Sequence, residues 1–120
     1  MWRKIFFVLA VIFVITVMIQ VFLAGLATFV DPANWMTHIA FVKIIEYVPI
    51  LMLIVSFSGK LPKNMKWQSV GLFMLIILMY ATANIPNAGA LHPVIALLMF
   101  WMSIVVSQKG WRYAYKPDDA

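Results

Sequence analysis

The chain contains no cysteine. That removes disulfides, thiolate metal sites, cysteine-ligated iron–sulfur clusters and cysteine nucleophiles from consideration. Charge is also scarce: 11% of the 120 residues are Asp, Glu, Lys or Arg, against about 25% in an ordinary soluble domain. Only four of them are acids. A chain so poor in charge and 65% hydrophobic can neither coat a soluble globule nor stay disordered. A Ser-His-acid set, a Gly-rich phosphate loop and paired carboxylates are all missing, so hydrolase and nucleotide chemistry have no foothold. No period of 20–50 residues repeats, which excludes a solenoid.

What is present is long apolar runs. A membrane span needs about 20 residues at 1.5 Å rise each. Four runs qualify, over residues 5–30, 32–57, 67–84 and 88–108. Asp31-Pro32 ends the first and suits the start of the second, with Asp as cap and Pro at the first helical position. Residues 58–64 form a turn-rich basic loop, and Ile85-Pro86-Asn87 breaks the chain again, leaving Asn87 to cap a helix from Ala88. Short connections make neighbouring helices antiparallel. The fold expected is therefore all-α: an integral membrane up-down four-helix bundle, one domain over residues 1–120. A cleaved signal peptide is the rival reading of the first run, but that run is far longer than the 7–15 residues such segments use.

The net charge of +5 reads as topology. Arg3 and Lys4, then Lys60, Lys63 and Lys66, then Lys109, Arg112 and Lys116 all fall at one end of such a bundle. The opposite end, residues 31–37 and 85–87, holds no Lys or Arg. By the positive-inside rule both termini are cytoplasmic and the protein sits in the cell membrane. Trp111, Arg112, Tyr113, Tyr115 and Lys116 look like an interfacial anchor to anionic lipid, and the bilayer is the expected partner, not nucleic acid.

Polar groups inside a span are costly and need a reason. The inventory is Gln20, His38, Lys43, Glu46, Thr82, Asn84 and His92. The two histidines are the only ones in the chain. Each lies within about 10 Å of the start of its helix, and both helices run in the same direction, so the rings share a depth. Their helices are diagonal partners, with axes roughly 12–14 Å apart if adjacent axes are 8–10 Å apart. That is too wide for the side chains to touch and suits a flat macrocycle clamped between two imidazoles. Small residues gather at the same depth on the other two helices: Ala24, Gly25, Ala27 and Thr28, then Ala81, Thr82 and Ala83. Trp35 and Asn84 lie where propionates would emerge. The chemistry expected is one haem b per chain, with iron held by His38 and His92 in a pocket bordered by Ala24, Gly25, Thr28, Trp35, Ala81 and Asn84. Two filled axial positions suit one-electron transfer, with quinone, a surface redox protein or a small oxidant as partner. That makes the protein an electron carrier or small membrane oxidoreductase, alone, as a homo-oligomer or in a larger complex.

Other readings stay open at this point. The histidines can be hydrogen-bonded packing groups of an accessory subunit, or the chain can sense or transfer haem. A zinc or copper site lacks the usual three or four donors. Met36, Met99 and Met102 could extend a soft copper site, but nine methionines in so apolar a chain read more simply as packing. Lys43 and Glu46, three residues apart, can neutralise each other, or form a proton path or quinone contact. At 100° per residue they lie about 140° and 80° around the helix from His38, beside its face and not on it. Pro49 should kink the second span.

The segment from Gln20 to Gly25, the histidine early in span two, and Leu91-His92-Pro93-Val94-Ile95-Ala96 resemble a family of small four-span bacterial membrane proteins of unknown function. The resemblance covers nearly the whole chain, with Phe41 and Lys43 standing where a small residue is expected. The layout is also similar to that of small membrane b-type cytochromes, which implies haem between helices.

Overall fold

A computed structural model of the chain describes residues 1–117. Its elements are α1 (Trp2–Phe29), α2 (Asn34–Ile45), α3 (Tyr47–Ser58), α4 (Lys63–Asn84) and α5 (Leu91–Tyr115). α2 and α3 together make one apolar run, Asn34–Ser58, so four helices are long and apolar enough to cross a membrane. The described residues are all-helical and turn, with no strand. α1 lies between α5 and the α2–α3 run, and α4 lies between α3 and α5. Diagonal partners make no backbone contact among the described residues. This is the expected up-down bundle, drawn out to 47 × 25 × 21 Å.

The core follows from a seam spaced alternately three and four residues apart. On α1, Phe6, Ala10, Phe13 and Val17 are buried; on α4, Met65, Ser69, Leu72 and Ile76; on α5, Met99, Ser103, Val106 and Gly110. That spacing keeps one stripe facing inward over many turns and favours crossing angles near 20°. Three buried serines sit in this seam without cost because each hydroxyl donates within its own helix. Ser56 bonds the Leu53 carbonyl at 2.7 Å, Ser69 that of Met65 at 3.0 Å and Ser103 that of Phe100 at 2.7 Å. Their small size lets the backbones approach closely. Gly110 is closer still: a Cβ there would meet the Phe7 Cα at 3.3 Å.

Several boundaries move from where the sequence places them. Asp31 does not cap a helix beginning at Pro32. Its Oδ1 accepts the Ala33 N–H at 2.9 Å, closing a local turn, and α2 starts at Asn34. Asn87 adopts φ 67°, a left-handed conformation that cannot lead into a helix, so α5 starts at Leu91 and not Ala88. The kink from Pro49 falls at Glu46, between α2 and α3. Proline has no N–H to offer the carbonyl four residues back, Ile45, and its ring crowds that carbonyl. In the basic loop it is Lys60, not a glycine, that takes φ 51°. The Leu61 N–H returns to the Ser56 carbonyl at 2.9 Å and Leu61 is buried, a Schellman ending with its apolar contact.

The polar tail is helical. α5 runs to Tyr115 and docks on the start of α1. Arg3 donates to the Tyr113 carbonyl at 3.2 Å, Asn64 to the Tyr113 hydroxyl at 2.6 Å, and Phe7 meets Trp111 edge-on at 5.5 Å. All three basic segments thereby share one end of the bundle, the basic end; the two histidines lie toward the other, the histidine end.

Candidate functional site

His38 and His92 fall on the inward seams. Counting back from buried Ile45, position 38 is one heptad away; counting back from Met99, so is position 92. Both rings are half-buried and turned toward the bundle axis at a common level. Their centres are 6.4 Å apart, with the planes at 61°. The expectation that they could not touch across the diagonal is therefore corrected. Helix axes are the wrong reference, because both side chains start from Cα atoms already about 2.3 Å off the axis and extend toward each other.

Each ring is held by a helix other than its own. His38 Nδ1 lies 3.1 Å from the Gln20 carbonyl of α1, and the Gln20 amide donates back to the His38 carbonyl at 3.0 Å. His92 Nδ1 lies 3.0 Å from the Met79 carbonyl and 3.1 Å from the Thr82 hydroxyl, both on α4. A carbonyl can only accept. Both Nδ1 atoms must then carry the proton, and both Nε2 atoms are left as lone-pair donors in the neutral rings. This is the arrangement by which a carbonyl behind an imidazole orients it as a metal ligand.

Around the pair, Trp35 packs edge-on to His38, ring centres 5.6 Å apart. Ala24 and Ala81 are half-buried. A Cβ on Gly25 would meet nothing within 4 Å, so that position is open. Thr28 and Asn84 are exposed and turn to their own helices, donating to the Ala24 carbonyl and the Tyr80 carbonyl, each at 2.8 Å. The structure thus brings His38, His92 and Trp35 together, leaves Ala24, Gly25 and Ala81 at the margin, and directs Thr28 and Asn84 to local bonds. It adds Gln20 and Thr82 as the residues behind the rings. Gln20 Oε1 is itself buried without a hydrogen-bond partner among the described residues.

The expected Lys43–Glu46 pairing gives way to another. Tyr80 of α4 donates to Glu46 Oε2 at 2.8 Å, and Lys43 is exposed. This bond bridges the α2–α3 break to α4. Beyond it α2 makes no backbone contact with α4.

Among the described residues, no group of three or more His, Asp or Glu could hold a metal ion. Two imidazoles are enough only where the ligand brings its own equatorial donors, as a porphyrin does. Two metal–imidazole bonds of about 2 Å, each extended by roughly 1 Å to the ring centre, require ring centres about 6 Å apart, close to the observed spacing.

Residues 20–85, more than half of the chain, match the profile of a family of unknown function, DUF6220. The chain belongs to this family. The matched stretch includes Gln20, His38, Glu46, Tyr80 and Thr82, while His92 and Pro93 lie beyond it. No curated protein and no solved structure matches the chain.

Proposed function

We propose that this DUF6220 protein is a multi-pass protein of the cell membrane, with both termini cytoplasmic, that holds one haem b between His38 and His92 near the opposite face. The charge asymmetry between the two ends supports the orientation. The observation that carries the haem reading is the double anchoring: both Nδ1–H groups are committed to backbone carbonyls, leaving two Nε2 donors on rings 6.4 Å apart. The Gln20 and Met79 carbonyls fix the tautomers and ring orientation, with the Thr82 hydroxyl beside His92 and Trp35 edge-on to His38. With both axial positions filled, the group supplies one-electron exchange, for which membrane quinone, a redox protein at the surface or a small oxidant is the partner.

A second reading has its own support. The same Nδ1 bonds tie α2 to α1 and α5 to α4, which is what histidines would do as structural locks in an accessory subunit. Visible spectroscopy of protein purified from haem-replete cells separates the two. The proposal expects a sharp reduced-minus-oxidised α-band and a pyridine haemochrome equivalent to one haem b per chain; a colourless, folded preparation leaves the structural reading.

A further inference from the structure

At the basic end, away from the histidines, α3 and α4 border an apolar groove of about 370 Å³ lined by Leu53, Phe57, Lys63, Lys66, Trp67 and Val70. The volume falls within the about 300–1,000 Å³ typical of small-ligand sites. The spacing explains the groove. Leu53 and Phe57 are one turn apart on α3, and Lys63, the pair Lys66 and Trp67, and Val70 follow one another a turn apart on α4, so each set forms a single stripe. The walls are apolar, and the two lysines line them through their stems. Lys66 is held there by Phe57, its ammonium 4.6 Å from the ring centre, and Lys63 opens the same face one turn earlier. Both phenyl and indole are largely exposed, Phe57 at 61% and Trp67 at 63%. Nothing of opposite charge serves these lysines among the described residues: the acids there are Asp31, in the connection at the histidine end, and Glu46, which is bonded to Tyr80.

We infer that this groove binds one anionic glycerophospholipid. Its phosphodiester lies between Lys63 and Lys66 and one acyl chain lies along Leu53, Phe57, Trp67 and Val70. Charge complementarity selects the occupant. An apolar slot alone would accept any acyl chain; the ammonium groups of its two lysines favour a head that keeps net negative charge over one whose phosphate is neutralised by choline. The inference is independent of the haem reading, since none of the six residues touches the histidine site.

Native mass spectrometry of the full chain, released from nanodiscs containing equal phosphatidylglycerol and phosphatidylcholine, tests it. The expected result is one retained phosphatidylglycerol, and a preference that falls about twenty-five-fold in Lys63→Gln/Lys66→Gln at about fivefold per lysine. Lys60→Gln/Lys109→Gln removes the same charge from the same end, outside both the groove and the tail anchor, and should leave the preference unchanged. Leu53→Trp keeps every charge but fills the groove, and should release the lipid. Added inorganic phosphate should not displace it. Equal loss in Lys60→Gln/Lys109→Gln, retention in Leu53→Trp, or displacement by free phosphate overturns the inference. Circular dichroism confirms that each variant is folded before it is scored.

Discussion

At the basic end Phe6, Phe13, Met52, Met65 and Leu72 are sealed from solvent, serines and Gly110 draw the backbones together, and the tail of α5 closes over the start of α1. Toward the other end α2 makes no backbone contact with α4, and a layer of Gln20, His38, Thr82 and His92 replaces the apolar seam. Sequence spacing is continuous through both regions; only the side chains at the seam change. Packing holds one end, while hydrogen bonds to neighbouring backbones hold the other. In a membrane, where burial of apolar groups gives little drive for helix association, the first is van der Waals contact and the second is local and specific. The two ends should therefore fail differently.

Replacing either histidine breaks the contrast at its functional side. His38→Ala or His92→Ala should abolish the six-coordinate low-spin spectrum entirely while helix content by circular dichroism stays at the parent level; a variant that keeps the parent spectrum would remove that residue from the ligand set. Phe13→Ala attacks the packed end. It should cost about 3–5 kcal/mol of unfolding free energy in detergent, with bound pigment lost only as the fold is lost. Gly110→Val presses α1 and α5 apart against the Phe7 backbone and should cost about 1–3 kcal/mol in the same measurement. Thr82→Val removes one of two acceptors behind His92 and should weaken haem retention about tenfold, the lower limit for such supporting contacts, with stability nearly unchanged. Smallest is Tyr80→Phe, which releases Glu46 and should cost about 1 kcal/mol.

Much of this contrast is legible in the sequence, for a physical reason. Residue spacing on a helix dictates which face points inward, so the inward placement of both histidines and the antiparallel order follow from positions alone. The segregation of Lys and Arg likewise places all basic segments at one end. The partners of the rings are not legible. The acceptors behind His38 and His92 are the carbonyls of Gln20 and Met79, and every residue carries a carbonyl, so side-chain identity gives no signal. Gln20 is visible only as a costly polar group, and Thr82 only as a polar group that is also small. Lys43 and Glu46 fit the spacing of an ion pair, but Tyr80, an ordinary aromatic in an apolar run, wins the carboxylate from another helix. The start of α5 depends on Asn87 taking a left-handed turn, where a capping role fitted the sequence equally well.

The anchoring of the rings has a consequence for how the bundle moves. The helices that own the histidines, α2 and α5, form one diagonal of the square; the helices whose carbonyls grip them, α1 and α4, form the other. The imidazole pair is thus a cross-brace, and its spacing reports the shear of the whole cross-section. A tilt of α1 relative to α4 would be transmitted to the gap between the rings even if α2 and α5 stayed still, making the distance between two nitrogens a gauge of bundle shape.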